Sequence, residues 1–476
     1  MSFLSNAKWN SFSQIFKIFV QLINLIYLAK IISPDQYGVL AMATVVTNLG
    51  LLLRDLGTSS ALIQRKNITR KLINSVFWLN VAIGIFLCLV ISLSSPLVSI
   101  FYKNDQVTLV LISLSFIFPF SSFGAVYLAL LERDSKFKII SIIEVVCSLI
   151  SVVIAIILAM KGYGVYSLVA QSLIFNCLSA ILFYKFSNWR PNFIVFISVE
   201  KIKDIFNYSA NISFFNIVNY FSRNADNFFI GRAMSPTVLG NYSLAYRIML
   251  FPLQSLTFVA SRSLFPILSR NQNDLGALSK VYDTCVILII TITAPLMLTL
   301  SFYSKDLIPF FFGKQWLLTP GILHWLAPTA IIQSVLSTTG AVFMARDKTK
   351  LLFKLGLLGT ILQVGSFIIG IQGDIFFFAK CYFIANVINF FPAMILVCKV
   401  MSASFVKLFL RFIPVFISSL AMLSFYIYFE CVKYLFYSLN QFIFFSFPIA
   451  IGLIIYSLLL ILIKFSIAKL SNKECK

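Results

Sequence analysis

Apolar runs follow one another along the whole chain, and each is close to the roughly 20 residues that an α-helix needs to cross a bilayer. The segments between them are too short to fold as separate soluble domains. The pattern predicts an all-α integral membrane protein with about fourteen spanning helices. The predicted spans lie near residues 12–32, 38–56, 76–100, 107–130, 139–160, 163–185, 205–233, 238–260, 281–303, 320–344, 351–371, 375–398, 410–429 and 441–463.

The chain also contains an internal repeat. Residues 11–43 align with residues 213–245, so that Pro34 meets Pro236 and Gly38 meets Gly240. Helices 1–6 and 7–12 then form two copies in the same orientation, as in transporters whose repeats are related by an axis along the membrane normal. We expect an N lobe at 1–195, a C lobe at 196–400, a central cavity, and helices 13 and 14 with a cytoplasmic tail at 401–476. A duplicated structural scaffold would show the same repeat.

Composition and charge agree with this organisation. Hydrophobic residues make up 60% of the chain and charged residues 11%, against about 25% charged in soluble proteins. The net charge of +22 follows from a bias of Lys and Arg toward the segments predicted to be cytoplasmic. The bias places both termini in the cytoplasm and needs no nucleic-acid partner. The scattered cysteines and the single histidine, His324, favour neither a metal site nor a disulfide framework, and no cofactor is expected.

A stripe of polar side chains runs along the first helix of each copy. Its spacing keeps the four side chains of a copy within an arc of roughly 80°. Lipid does not solvate such a face, so it must contact protein or water in a cavity. Interhelical hydrogen bonds that hold the bundle together are the alternative explanation. The stripe consists of Gln14, Lys17, Gln21 and Asn24 in the first copy and of Asn216, Asn219, Arg223 and Asp226 in the second.

Further candidates extend this polar lining. Arg247 and Gln254 lie seven residues apart on one face of helix 8, and Glu144 interrupts the apolar run of helix 5. Glu144 is a candidate proton-coupling site, because burial favours a protonated carboxyl; pairing with a Lys or Arg is the equal alternative. Cations outnumber acids at membrane depth, which favours a ligand that carries phosphate, and Asn and Gln suit sugar hydroxyls. The predicted substrate-binding residues are Lys17, Gln21, Asn24, Asn219, Arg223, Asp226, Arg247 and Gln254, and the predicted coupling residues are Glu144 and Asp226.

Two segments carry a family resemblance. The first, "SPDQYGVLAMATVVTNLGLLLRDLGTSSALIQRK" (33–66), includes Gly38 and the sequence Asp-Leu-Gly at 55–57, and the second is "ADNFFIGRAMSPTVLGNYSLAYRI" (225–248). They resemble the polysaccharide exporters of the MOP superfamily, namely Wzx-type flippases of lipid-linked oligosaccharides for O-antigen or exopolysaccharide, and especially the subgroup of the colanic acid exporter. The resemblance extends over roughly residues 1–400.

This resemblance implies a flippase in the bacterial inner membrane that moves an undecaprenyl-diphosphate-linked oligosaccharide to the outer leaflet by alternating access. It also implies H⁺ or Na⁺ as a coupling ion, and polymerase or chain-length proteins of the same pathway as partners. Such a protein is a transporter and not an enzyme. A membrane glycan polymerase or glycosyltransferase is disfavoured by the short outside segments, and a cation-drug antiporter by the sign of the charge. A flippase of peptidoglycan lipid precursors is mechanistically close.

Overall fold

The computed structural model describes residues 3–55, 62–63, 68–192, 220–221, 224–270, 274–432 and 441–474. Regular structure in these ranges is helical, without strands, and the predicted all-α class is confirmed. The helices are α1 (Phe3–Ile31), α2 (Pro34–Asp55), α3 (Arg70–Tyr102), α4 (Gln106–Ser115), α5 (Ile117–Arg133), α6 (Phe137–Met160), α7 (Val165–Phe186), α8 (224–233), α9 (Pro236–Arg270), α10 (Leu275–Phe302), α11 (Ser304–Phe312), α12 (Thr319–Ala345), α13 (Thr349–Gly370), α14 (Ile375–Val400), α15 (Phe405–Leu410), α16 (Ile413–Val432) and α17 (Gln441–Glu474).

Among the residues that the structure describes, 11 helical stretches are long and apolar enough to cross a membrane. They are α2, α3, α4 with α5, α6, α7, α10, α12, α13, α14, α15 with α16, and α17. Polar side chains interrupt the apolar runs of α1 and α9, which are 29 and 35 residues long. The predicted span at 205–233 lies mostly outside the described residues. The 11 stretches are compatible with about fourteen spans, a count that stays a prediction.

Local backbone geometry supports the internal repeat. Lys103 follows α3 with a φ of 55°, and Gly313 follows α11 with a φ of 102°. Likewise, Ser135 and Asp347 follow α5 and α12 with φ angles of 53° and 52°. A left-handed residue of this kind ends a helix by turning the chain away from the axis. The two copies therefore end corresponding helices with the same device.

The chain packs into two compact units, Met1–Gly240 with Phe311–Gln315, and Asn241–Phe310 with Trp316–Lys476. The core of the first unit joins α3, α5 and α6, and includes the buried side chains of Phe77, Tyr127 and Cys147. Arg133 Nη1, at the end of α5, donates a 2.7 Å hydrogen bond to the carbonyl oxygen of Leu62, which is also a residue of this core. The predicted lobe boundaries at residues 195 and 400 rest on the sequence repeat and stay a prediction.

Polar contacts attach the C-terminal helices α16 and α17 to α10 in the second unit. The hydroxyls of Thr299 and Tyr426 lie 3.0 Å apart, and the Tyr456 hydroxyl donates to the Thr291 carbonyl oxygen at 2.9 Å. Arg411, just before α16, forms a 2.7 Å ion pair with Asp283 of α10. Hydrophobicity alone does not select a partner for a helix in lipid, so contacts of this kind supply the specificity.

Candidate functional site

Two helix starts cross closely within the first unit. A Cβ atom at Gly38 of α2 would overlap the carbonyl oxygen of Pro236 in α9, and a Cβ atom at Gly240 would overlap the carbonyl oxygen of Pro34. These are the residues that the repeat aligns with each other. Each copy thus contacts the other through the same surface, as in an interface with two-fold symmetry. Only glycine permits the two backbones to come this close.

A side chain from the second copy fixes the end of α1. Gln315 Nε2 donates hydrogen bonds to the carbonyl oxygens of Ala29 at 2.6 Å and Ile32 at 3.2 Å. These carbonyls lie in and just after the last turn of α1, where no intrahelical donor is left for them. The helix that carries the first polar stripe is therefore held at this end by a side-chain cap.

An ion pair joins α1 to α6. Lys17 Nζ lies 2.5 Å from Glu144 Oε2, and the two side chains are 21% and 29% exposed. A charge is costly at membrane depth unless it is paired or reaches water. Lys17 and Glu144 are paired with each other, and both side chains are also partly exposed. Of the two roles predicted for Glu144, the structure shows the ion pair, and the proton-coupling role stays a prediction.

Two turns further along α1, a second polar contact joins the helix to α7. Asn24 Nδ2 donates to Gln171 Oε1 at 3.3 Å. The other amide oxygen in this contact, Asn24 Oδ1, is buried and has no hydrogen-bond partner within the described part of the chain. A buried acceptor of this kind costs free energy when it is unsatisfied, and it marks a place where a donor from water or substrate would be favourable.

Gln21 lies between these two contacts and is exposed. Its neighbours Phe19 and Ile23 are 59% and 46% exposed, but two residues along a helix correspond to a rotation of about 200°. Gln21 therefore points away from the exposed apolar side chains that suit lipid. An exposed amide on the opposite side of α1 is typical of a helix that borders a hydrated space.

The other predicted site residues differ in exposure, and some of them lie outside the described residues. Asp226 on α8 is 1% exposed and accepts a 2.7 Å hydrogen bond from the backbone N–H of Asn227. Arg247 on α9 is exposed, whereas Ala245 and Met249, on the far side of the helix, are buried. Asn219 and Arg223 lie outside the described residues, and so does the side chain of Gln254.

Of the predicted site residues, these contacts join Lys17 to Glu144, whereas Asn24 contacts Gln171 on α7. Sequence reasoning missed Gln171, although it is an amide within the apolar run "SLVAQSLIF" (167–175). An amide inside a spanning helix usually forms an interhelical hydrogen bond. That rule would have identified Gln171 as a partner of the α1 stripe.

The fold matches those of two solved membrane transport proteins. The structure "Lipid II flippase MurJ, inward closed conformation" superimposes with a TM-score of 0.74 at 18% identity, over 96% of this chain and 99% of that chain. An inward-facing multidrug resistance MATE family transporter of the MOP superfamily gives a TM-score of 0.62 at 15% identity, over 82% of this chain and 96% of that chain. The chain thus shares the fold of these proteins, and the 11 stretches of spanning length among its described residues indicate a multi-pass membrane protein.

Sequence comparison identifies the family. A profile described as "Polysaccharide biosynthesis protein" matches residues 27–319, and the chain belongs to this family of polysaccharide biosynthesis proteins. The chain is 26% identical over 371 residues to the lipopolysaccharide biosynthesis protein WzxC of Escherichia coli, a match that covers 78% of this chain and 75% of that protein. It is 25% identical over 334 residues to the succinoglycan biosynthesis transport protein ExoT of Rhizobium meliloti, covering 70% and 67%. The predicted family is confirmed.

Proposed function

We propose that the protein is a flippase that moves an undecaprenyl-diphosphate-linked oligosaccharide across the bacterial inner membrane during synthesis of a surface polysaccharide. The match to the polysaccharide biosynthesis family over residues 27–319 carries this proposal. ExoT is named as a transport protein, and the fold is shared with a lipid flippase. The protein acts as a transporter rather than as an enzyme, with both termini in the cytoplasm.

The polar face of α1 supports a role in substrate binding. Gln21 is exposed on the side of α1 that points away from the exposed apolar side chains, and Asn24 carries a buried acceptor that has no partner among the described residues. In our proposal these amides contact glycan hydroxyls. Arg247 contacts the diphosphate, because a guanidinium matches phosphate oxygens with two parallel donors. Asn219, Arg223, Asp226 and Gln254 complete the proposed substrate site.

The ion pair between Lys17 and Glu144 supports a coupling step. Diphosphate and Glu144 compete for the Lys17 ammonium, since both are anionic acceptors. When a proton binds to Glu144, the carboxyl becomes neutral and Lys17 becomes available to the substrate. Loss of that proton restores the pair and weakens substrate binding, which favours release. Asp226 is the second proposed coupling residue because it is a buried acid on α8.

Flipping can be measured with purified protein in liposomes that carry a fluorescent undecaprenyl-diphosphate oligosaccharide. A membrane-impermeant quencher reports how much of the lipid has changed leaflet with time. We expect flipping by the wild-type protein and at least a tenfold loss in Arg247→Ala, because removing a diphosphate ligand of about 1.5–3 kcal/mol changes binding by that order. Equal rates in protein-free liposomes would contradict the proposal.

The same assay separates the alternatives. A peptidoglycan precursor flippase would move undecaprenyl-diphosphate carrying a peptide-bearing disaccharide in preference to a peptide-free oligosaccharide. A polymerase or glycosyltransferase would change the length of the glycan, which mass spectrometry of the recovered lipid would detect. We expect the recovered lipid to have an unchanged mass and the peptide-free substrate to be preferred.

A further inference from the structure

The first unit contains an apolar cavity of about 280 Å³ away from the polar face of α1. This volume is close to the lower end of the roughly 300–1,000 Å³ that ligand pockets span. Helices α2, α3 and α8 and residues 220–221 enclose it, and most of its lining is aliphatic or aromatic. The lining includes Val45, Leu49, Leu97, Phe101, Phe221 and Phe228.

One polar group beside this cavity has no hydrogen-bond partner among the described residues. Tyr102 lines the cavity and is 5% exposed, and its hydroxyl forms no hydrogen bond with any described residue. The other tyrosine of the lining, Tyr220, donates to the carbonyl oxygen of Val45 at 2.5 Å. A buried hydroxyl usually has an acceptor. The Tyr102 hydroxyl therefore indicates a ligand that brings an oxygen acceptor into an apolar space.

The cavity opens sideways through lining residues that are themselves exposed. Leu97 and Phe221 are 69% and 53% exposed, and α3 is long and apolar enough to cross a membrane. In a bilayer this opening faces hydrocarbon. Membrane lipid is present there at the highest concentration of any apolar molecule, so a chain enters by mass action.

Two cations lie beside the cavity. The Arg232 guanidinium is 5.5 Å from the ring centroid of Phe101, and Lys103 directly follows Tyr102; both are exposed. The nearest acid in sequence, Asp105, accepts a long 3.5 Å hydrogen bond from Ser99. A phosphate at this end of the cavity would meet more positive than negative charge.

We propose that this cavity binds one acyl chain of an anionic glycerophospholipid, with the phosphate beside Arg232 and Lys103. The Tyr102 hydroxyl donates to the ester carbonyl oxygen at the base of the chain. This carbonyl distinguishes the occupant from a polyprenyl carrier, whose hydrocarbon chain has no acceptor at that position. The cavity adjoins Asp226 of the proposed substrate site, which lies between Phe221 and Phe228 in the sequence, but lipid binding there is measured without the flipping activity.

The test uses full-length protein in nanodiscs and a phosphatidylglycerol whose acyl chain carries a photoactivatable diazirine. Competition with unlabelled phosphatidylglycerol, phosphatidylcholine of the same chains, or undecaprenyl phosphate gives relative affinities, and peptide mapping locates the label. Ser94→Phe fills the cavity, because Ser94 lines it. Leu93→Phe is the matched control, since Leu93 is 79% exposed and is not part of the lining.

We expect the label on α2 or α3, competition by phosphatidylglycerol at a lower concentration than by phosphatidylcholine, and a loss of labelling in Ser94→Phe only. Tyr102→Phe removes one hydrogen bond and should weaken binding about threefold to tenfold. Arg232→Gln should abolish the preference between the two headgroups. Unchanged labelling in both Ser94→Phe and Tyr102→Phe would overturn the proposal, and so would stronger competition by undecaprenyl phosphate than by phosphatidylglycerol.

Discussion

The crossing of α2 and α9 and the polar face of α1 show opposite uses of the same duplication. At the crossing, both copies keep the same residues, with Gly38 and Gly240 each packed against the other copy's proline carbonyl. Equal residues in a mutual contact give a geometry that neither copy can change alone. The crossing is therefore a structural element, and its function is to hold two helices at a fixed close distance.

The polar stripe is different, because the two copies diverge in charge. Lys17 aligns with Asn219, Gln21 with Arg223, and Asn24 with Asp226. The first copy engages its charge in a pair with Glu144 of α6, whereas the aligned part of α13, around Gly356, has no acid. Duplication thus supplies the frame, and divergence within that frame supplies the chemistry. Substitutions in the two regions should differ in kind as well as in size.

The largest effect is expected at the crossing. Gly38→Ala places a methyl group against a backbone oxygen that has no side-chain freedom to move. Overpacking of this kind costs about 1–3 kcal/mol, toward the upper end when the backbone must shift, and we expect the protein to lose thermal stability and to accumulate poorly in the membrane. Because the contact is mutual, Gly240→Ala should have an effect of similar size. Thermal unfolding in detergent, followed by fluorescence size-exclusion chromatography, measures both.

Gly340→Ala is the matched control for these two variants. Gly340 is also a helical glycine, on α12, but a Cβ atom there meets no atom within 4 Å. Alanine favours the helix by roughly 0.5–1 kcal/mol over glycine, so this variant should be neutral or slightly more stable. Equal losses of thermal stability in all three variants would show that the crossing does not require glycine more than any other helical position does.

A smaller effect on stability, with a larger effect on activity, is expected at the ion pair. Lys17→Gln and Glu144→Gln each leave one partly buried charge without its partner, at a cost of about 1–2 kcal/mol, between that of exposed and fully buried pairs. Glu144→Gln mimics the protonated acid, so its flipping rate should depend less on pH than that of the wild-type protein. Flipping in liposomes from pH 5.5 to 8.5 measures this.

The control for the ion pair is the exchanged variant Lys17→Glu with Glu144→Lys. It keeps a pair in the same place and should recover most of the stability that either single variant loses. If charge position matters for substrate, the exchanged variant stays stable and still fails to flip. A full recovery of flipping would show that the ion pair has only a structural role, as the glycine crossing has.

The architecture was predictable because it depends on patterns that the chain repeats many times. Apolar runs of spanning length, short loops and a bias of basic residues each recur, so an error in one segment does not change the class. The alignment of Gly38 with Gly240 also marked the two positions as equivalent. It did not reveal that the two positions face each other, because a repeat states equivalence and not contact.

The partners of the site residues were less predictable, because sequence patterns do not show which helices are in contact. The periodicity of α1 correctly placed Lys17, Gln21 and Asn24 on one face, since that depends on helix geometry alone. Which acid or amide meets each of them depends on how α6 and α7 pack, and Gln171 was missed although Glu144 was identified. The cavity-lining role expected for Asp226 stays a prediction, and the structure shows only that its side chain is buried.

The smallest effect is expected at the amide pair of α1 and α7. Hydrogen bonds between membrane helices contribute about 0.6 kcal/mol on average, so Gln171→Leu should lower the unfolding temperature only slightly. Asn24→Leu removes the same bond and also a buried oxygen that has no partner among the described residues, so it should lower the unfolding temperature less than Gln171→Leu does. If that oxygen instead receives a glycan hydroxyl, Asn24→Leu impairs flipping while Gln171→Leu does not. A double-mutant cycle with both readouts separates the two roles, because a purely structural pair would change stability and flipping together in every variant.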